Sequence, residues 1–211
     1  MAIEFIDSCE STQLLLIEKF KNNLISPPYF LVAFEQISGI GSRGNSWEGS
    51  FGNLHFSFCI DEKDISKDIP PQSISIYFAM LMRGILTSKG SKLWVKWPND
   101  FYINNKKIGG LITNKIKSTY ICGIGINLKN SPEFGDILDI DVEINSLVFE
   151  FFEILKKQIS WKQIFSKFML EFEKSRKFFS HIGNRKISLE FAKLCEDGAI
   201  LINNKKVYSL R

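Results

Sequence analysis

The sequence contains few of the residues from which metal sites and disulfide frameworks are built. Its 211 residues include only four cysteines and two histidines. The cysteines are far apart in the chain and no C-x-x-C pair occurs; they are Cys9, Cys59, Cys122 and Cys195. These absences argue against a zinc site, and scattered free thiols are typical of proteins in a reducing cytosol.

Long apolar runs, a leader sequence and a strong excess of charge are also missing. No stretch approaches the roughly 18 apolar residues of a membrane span, and no charged-then-apolar segment opens the chain. The 27 Lys and Arg residues against 23 Asp and Glu residues give a net charge of +4, and no basic cluster exceeds a pair of lysines. We therefore predict a cytoplasmic protein that binds neither membranes nor nucleic acid, although small anionic ligands suit its charge.

The hydrophobic content of 45% is sufficient for a buried core. The first half of the chain predicts a helix after residue 8, with Ser8 or Ser11 as its N-cap, which Pro27 and Pro28 end. Strands are predicted at 29–36 and 52–60. Residues 70–90 begin with proline, carry an apolar face and end in glycine, which predicts another helix.

The second half of the chain predicts further strands and then two helices. Strands are expected in 92–128, with a turn at Asn104 and Asn105, and two amphipathic helices in 144–180. Strand patterning returns after that, around turns at Asp197-Gly198 and Asn203-Asn204. We predict one domain over residues 1–182 and a small second domain over 183–211.

Two stretches carry most of the functional information. The first, "SGIGSRGNSW", places glycines and one guanidinium after a buried strand, which favours close approach of backbone N–H groups to an anion. Taken alone, the loop at 38–46 favours an ordinary flexible connection over a ligand-binding loop, and only the second stretch reverses that preference. The second, "KWPNDFYINNKKIGGLITN", brings Lys96 and Lys107 to a hairpin, and Pro98 stiffens the chain between them. Bare backbone at Gly109 and Gly110 completes a cradle for a carboxylate that meets a phosphate.

These stretches resemble the biotin protein ligase family. "KWPND" followed by "KKIGGLI" is similar to the central signature of that family, and "CGIGINL" resembles its Gly-x-Gly-Ile-Asn strand. "ESTQ" resembles its Ser-Thr-Asn segment, with Gln13 in place of Asn. "QISGIGSRGNSW" stands where the family has Gly-Arg-Gly-Arg-x-Gly-Arg-x-Trp. The four motifs occur in the family's order over roughly residues 3–128.

The resemblance implies a role for each of several residues. It places these residues at biotin: Ser11, Thr12, Gln36, Gly39, Gly41, Lys107, Gly110 and Gly123. It places these at ATP: Ser42, Arg43, Gly44, Trp47, Asn53, Lys96, Asn99, Asp100 and Asn127. The catalytic residues would be Lys107, Lys96 and Arg43, which offset the repulsion between two anions, and Asp100, which would accept a proton. Trp47 would close an apolar wall or stack on adenine.

Most of these residues also have a structural alternative. Ser11 and Thr12 suit a helix N-cap, Gln36 a surface position on a strand, and Asp100 a turn. The metal ligands are undetermined: Asn99, Asp100 and Asn127 suit Mg²⁺, its waters or the ribose equally. His55 and His181 are assigned to structure, because lone histidines seldom form sites.

The glycine loop departs from the family pattern. Ile40, Ser42 and Asn45 stand where the family has arginines, and Arg43 occupies a position that the family leaves variable. We expect Lys107 to carry most of the charge at the biotin carboxylate, with help from Arg43, and the loop to retain an adenylate less firmly.

The implied fold is α+β, with a mixed sheet, packed helices and a small C-terminal SH3-like β domain. The implied activity is ATP-dependent biotinylation of a carrier-protein lysine through biotinyl-5′-AMP, with Mg²⁺ as cofactor. The partner would be the biotin carboxyl carrier domain of a carboxylase, and a homodimer is compatible with the fold. Because the chain opens on the catalytic sheet, we expect no repressor activity. The alternatives are a lipoate-type ligase and a non-catalytic biotin-binding module.

Overall fold

Eight strands form the central sheet of the protein, which a computed structural model describes over residues 2–42, 45–182 and 185–208. The strands are β1 (Ala2–Cys9), β2 (Tyr29–Ile40), β3 (Ser46–Gly49), β4 (Leu54–Asp61), β5 (Trp94–Lys96), β6 (Asp100–Ile103), β7 (Lys106–Ile116) and β8 (Thr119–Ile126). Their order is β1-β2-β4-β8-β7-β6-β5, and β3 pairs with the end of β2. β1 is parallel to β2 and the other pairs are antiparallel. The predicted mixed sheet is confirmed.

Four α-helices pack against this sheet: α1 (Thr12–Lys21), α2 (Ile74–Ser88), α3 (Ile144–Lys156) and α4 (Trp161–Ser175). The Ser11 side chain accepts from the N–H of Leu14 and caps α1, so the second of the two predicted caps is the one used. A 3₁₀ turn over Pro71–Ser73 leads into α2, and Gly90 follows it with φ of +100°. No helix among the described residues is long and apolar enough to cross a bilayer.

The two faces of the sheet are covered unequally. The larger core packs α2, α3 and α4 on one face, where Phe30, Phe56 and Phe58 are fully buried. On the other face α1 covers only one end of the strands, through a small cluster that includes Leu16 and Ile121. The far end of that face therefore lies beyond α1.

The predicted turns form where the sequence places them. Asn104 has a positive φ of 50° between β6 and β7. Asn203 and Asn204 have φ values of 49° and 58°, and Gly198 has a φ of 79°. Asn and Gly tolerate this left-handed backbone better than other residues do, so these residue types fix the turns.

Two small sheets follow α4. One is the hairpin of β9 (Phe179–Ile182) and β10 (Arg185–Ser188), and the other contains β11 (Lys193–Leu194), β12 (Ile200–Ile202) and β13 (Lys205–Val207). They agree with the predicted small C-terminal β domain. The predicted boundary after residue 182 lies between β9 and β10, which pair with each other.

Candidate functional site

A cavity lies on the open end of the sheet face that α1 covers in part. Its walls come from the start of α1, the ends of β2 and β3, and the middle of β7 and β8. It is lined by Ser11, Thr12, Gln13, Gln36, Ile40, Gly41, Ser42, Trp47, Asp100, Lys107, Gly110, Leu111, Ile112, Gly123, Ile124 and Gly125. The sequence motifs from four separate parts of the chain thus meet at one place.

One wall of the cavity is a buried hydrogen-bond network at the start of α1. The Ser57 hydroxyl donates to Thr12 Oγ1 at 2.9 Å, and Thr12 Oγ1 donates to Gln36 Oε1 at 2.9 Å. The backbone N–H of Thr12 donates to the same Gln36 oxygen at 2.7 Å. All three side chains are at most 9% exposed. The network holds the Gln36 amide in one position before any ligand arrives.

The orientation of the Gln36 amide follows from its partner. A backbone N–H can only donate, so the atom that faces Thr12 must be the amide oxygen. The Nε2 group then points away from α1, 2.8 Å from where a Cβ on Gly39 would stand. Gln36 therefore offers N–H donors on the side remote from α1, which suits a carbonyl of a ligand.

The opposite end of the cavity is charged. Asp100 Oδ1 lies 2.8 Å from Lys107 Nζ, and Asp100 Oδ2 lies 3.1 Å from Lys96 Nζ. The Lys107 side chain is 42% exposed, whereas that of Lys96 is 8% exposed. Lys107 lines the cavity and Lys96 does not. Of the two ammonium groups, that of Lys107 can thus reach an incoming anion directly, and that of Lys96 lies behind Asp100.

A β-bulge in β7 directs the Lys107 side chain toward Asp100. Asp100 pairs with Gly110 across β6 and β7, but the register shifts so that Tyr102 pairs with Lys107. The extra residue lets Ile108 enter the large core, while Lys107 turns to the cavity beside Gly110. Bulges commonly redirect a side chain next to a functional site.

Glycines form the floor of the cavity where side chains would block it. A Cβ on Gly125 would lie 2.7 Å from the indole of Trp47, and a Cβ on Gly123 would lie 2.9 Å from Gln13 Oε1. Both distances are shorter than the normal contact distance of a Cβ atom, so any residue other than glycine at these positions would displace Trp47 or Gln13. Trp47 thereby closes one side of the cavity over β8.

Several predicted ligand-binding residues lie outside the cavity lining. Gly39 lies beside the Gln36 amide. Arg43 and Gly44 fall outside the described residues, so the predicted contribution of the Arg43 charge at the carboxylate stays a prediction. Asn53 Oδ1 accepts from three backbone N–H groups at 128–130, and Asn127 Nδ2 donates to Asp136 O at 3.1 Å. Asn99 Nδ2 donates to Leu111 O. The three asparagines thus support the backbone around the site.

The sequence interpretation omitted several residues that form the site. Ser57 anchors Thr12, and Gln13, Ile112 and Gly125 line the cavity. Signals for two of them were present: Gln13 lies inside the "ESTQ" motif, and Gly125 inside "CGIGINL". Ser57 is a polar residue between Phe56 and Phe58 on a buried strand, which is the local sign of its role.

The donor set at the cavity suits a metal ion that arrives with phosphates. Asp100 is the one carboxylate among the described lining residues, and no group of three or more His, Cys, Asp or Glu side chains in the described chain is arranged for a metal. Mg²⁺ is often held by one or two carboxylates together with substrate phosphates and waters. Asp100 fits that requirement, although both of its oxygens now face lysines.

Comparison of the sequence with models of known protein families shows which family this chain is related to. The model named "Biotin/lipoate A/B protein ligase family" matches residues 5–130, which carry part of β1, the strands β2 to β8 and every cavity residue. The chain belongs to this family. The resemblance inferred from the motifs is confirmed, and so is the fold class.

Individual relatives extend this result. The chain is 38% identical to the biotin acetyl coenzyme A carboxylase synthetase of Helicobacter pylori, solved with bound biotinylated ATP; the TM-score is 0.93, and the match covers 97% of this chain and 98% of that one. It is 28% identical to the bifunctional ligase/repressor BirA of Bacillus subtilis over 83% of this chain and 54% of that protein. The chain thus spans about half the length of that curated relative. A biotin protein ligase of Aquifex aeolicus shares the fold, with a TM-score of 0.76 at 23% identity over 99% of this chain and 95% of that one.

Proposed function

We propose that this protein is a ligase that joins biotin to ATP and then transfers the biotinyl group to a lysine of a biotin carboxyl carrier domain. One observation carries the proposal: a single cavity places the buried amide and hydroxyl groups of Gln36 and Thr12 opposite the ammonium group of Lys107. Biotin has a neutral polar urea at one end and a carboxylate at the other. The two ends of the cavity match those two ends of the molecule.

In the first step the biotin carboxylate oxygen attacks the α-phosphorus of ATP, and pyrophosphate leaves with the bonding electrons. Two anions must approach each other, so positive charge at the point of contact lowers the barrier. Lys107 supplies this charge from its exposed position. Asp100 holds the lysine in place, and Lys96 on the other oxygen of Asp100 fixes the carboxylate. Mg²⁺ brought with ATP would bind the phosphates and Asp100 and add further charge.

In the second step the amine of a carrier lysine attacks the acyl carbon of biotinyl-5′-AMP, and AMP leaves. The amine must lose a proton, and Asp100 is the nearest carboxylate to the cavity. Because both of its oxygens contact lysines, it accepts this proton only when one of those ion pairs opens. Trp47, which lines the cavity, would shield the reactive anhydride from water in the meantime.

The adenylation step tests the function directly. We expect biotin-dependent exchange of labelled pyrophosphate into ATP, and we expect Lys107→Ala to slow it roughly 100- to 1,000-fold, which is typical for loss of one group that stabilises transition-state charge. Lys106→Ala is the matched control, because Lys106 precedes it in β7 and makes only a surface ion pair with Asp136 at 3.8 Å.

Two results would contradict the proposal. If Lys107→Ala exchanges pyrophosphate at the wild-type rate, the charged end of the cavity is not the adenylation site. If the wild-type protein exchanges pyrophosphate with lipoate and not with biotin, the lipoate-type alternative replaces the proposal. Transfer of labelled biotin to a purified carrier domain then checks the second step.

A further inference from the structure

A groove lies between α2, α3 and α4, in a part of the molecule that shares no residue with the cavity. Its volume is about 530 Å³, which falls in the range of roughly 300–1,000 Å³ that is typical of small-molecule sites. The apolar side chains that line it include Leu81, Ile85, Phe149, Ile154, Ile159 and Ile164. The groove is therefore a candidate binding site for an apolar molecule.

Gly84 keeps the groove open. It lies within α2 and lines the groove, although glycine inside a helix destabilises it relative to alanine. A Cβ on Gly84 would have no other atom within 4 Å, and the backbone there is not left-handed. Neither a close contact nor the backbone conformation therefore requires glycine at this position. The consequence of the missing side chain is the open space in the groove.

The acidic side chains and the arginine of the groove already have partners. Glu150 and Glu153 each form an ion pair with a lysine that does not line the groove, at 2.7 Å and 2.6 Å. Arg83 forms an ion pair with the buried Glu171. These groups contribute no uncompensated charge to the groove.

The two other charged residues of the groove are lysines. Lys157 is the C-cap of α3, and Lys167 lies in the second turn of α4. Neither ammonium group has an ion-pair or hydrogen-bond partner within the described part of the chain. Apolar walls together with two free ammonium groups are complementary to a molecule that is apolar along its length and anionic at one end.

We propose that this groove binds a free medium-chain fatty acid. The alkyl chain lies over Gly84 and between the apolar walls, and the carboxylate binds the ammonium groups of Lys157 and Lys167. Burial of the alkyl chain supplies most of the affinity, and the two lysines select an anionic head group. The groove is separate from the cavity that contains Lys107, so the inference does not depend on the proposed ligase function.

Calorimetric titration of the full chain with octanoate and with 1-octanol tests the proposal, because the two molecules share an alkyl chain and differ in charge. We expect one octanoate to bind per chain, roughly tenfold more tightly than octanol. The double variant Lys157→Gln, Lys167→Gln should lose roughly that tenfold for octanoate and keep its affinity for octanol. Gly84→Leu fills the groove and should abolish binding of both ligands. It should not lower the urea midpoint, because leucine is the better helix former.

Lys162→Gln is the matched control, because Lys162 is an exposed lysine of α4 that does not line the groove. Its affinity for octanoate should equal that of wild type. If Gly84→Leu binds octanoate as tightly as wild type, the ligand occupies another site, such as the cavity at Lys107, and the inference is wrong. No binding by wild type, or equal affinity for octanoate and octanol, also overturns it. Should Gly84→Leu prove unstable, the lysine double variant decides, and an unchanged affinity for octanoate contradicts the proposal.

Discussion

His55 shows how the sheet controls the charge of a single residue. It lies in β4 between Ala33 of β2 and Gly125 of β8, and it is 1% exposed. Burial lowers the pKa of His55 from 6.5 to about 4, and a weaker contact with the Ala33 backbone acts in the opposite direction. The imidazole is therefore neutral in the folded protein under ordinary conditions, as the structural assignment of this residue requires.

This pKa predicts a pH dependence of stability. The folded pKa is depressed, so the unfolded chain takes up the proton first. The contribution of His55 is complete above pH 6.5 and is lost as the pH falls toward 4. The loss amounts to about 3 kcal/mol over the full window, since one pKa unit corresponds to about 1.4 kcal/mol. Urea unfolding of wild type and His55→Phe at pH 7 and pH 5 measures it.

We expect the free energy of unfolding to fall less between these two pH values in His55→Phe than in wild type. His181→Gln is the control, because His181 is the other histidine of the chain and is exposed. If His181→Gln and His55→Phe flatten the pH dependence equally, the burial of His55 does not cause it.

Single residues also mark the limit of what the sequence predicts. Ser11 was one of the two predicted caps, and a turn was predicted at Asn104 and Asn105; both features follow from local preferences. The amide orientations of Gln13 and Gln36 were not predictable, because they depend on partners 108 and 24 residues away. A motif identifies that an amide belongs to the site, but only the fold decides whether it donates or accepts.

At the scale of elements, α4 completes the edge of the sheet that carries Lys96. β5 is the last strand in the sheet order, so one of its edges has no neighbouring strand. The N–H of Val95 donates to Glu171 Oε2 at 2.9 Å, and the N–H of Trp97 donates to Ser175 Oγ at 3.1 Å. Glu171 and Ser175 lie one helical turn apart on α4. They accept the hydrogen bonds that a further strand would accept from the residues before and after Lys96.

This support has a measurable consequence for Glu171. Its side chain is 4% exposed and forms an ion pair with Arg83; burial raises its pKa, and the Val95 N–H and Arg83 oppose that rise. Glu171→Leu leaves Arg83 and the Val95 N–H without this partner, which we expect to cost roughly 2–4 kcal/mol of unfolding free energy. We also expect slower adenylation, because Lys96 is no longer held against Asp100.

Glu173→Ala provides the comparison for this prediction. Glu173 lies on the same helix and pairs with Arg176 at the surface, where its side chain is 65% exposed. Its removal should change the unfolding free energy by no more than about 0.5 kcal/mol. Equal urea midpoints for Glu171→Leu and Glu173→Ala would show that α4 does not support β5.

Some helices and strands were predicted from the sequence and others were not, and the difference has a physical reason. The helices α2, α3 and α4 have long apolar faces, and the strands that flank Asn104 have a clear turn signal, so these elements appear in the sequence pattern. Neither β3 nor the bulge at Ile108 was predicted. Both depend on pairing with distant strands, and a one-residue change of register leaves no trace in local periodicity.

At the scale of the whole molecule, the C-terminal segment shares the core that packs on the central sheet. Leu189, Ala192 and Ile200 are at most 1% exposed and belong to the large core on the helical face. Trp97 Nε1 donates to Gly198 O at 3.0 Å, and Trp161 Nε1 donates to Glu196 O at 2.8 Å. The predicted division into residues 1–182 and 183–211 can therefore be tested by asking whether the two parts unfold separately.

We propose that they unfold together. Ile200 in β12 is fully buried in the shared core, so Ile200→Ala should cost about 2–4 kcal/mol and shift a single unfolding transition. All four tryptophans, Trp47, Trp94, Trp97 and Trp161, lie within residues 1–182, so fluorescence reports the state of that part, and far-ultraviolet circular dichroism reports the whole chain. Ile202→Ala, on the same strand but only partly buried, should shift the transition less. Because Trp97 donates directly to the turn before β12, the fluorescence transition should shift together with the circular dichroism transition. A fluorescence transition that stays at the wild-type midpoint would instead establish residues 183–211 as an independent domain.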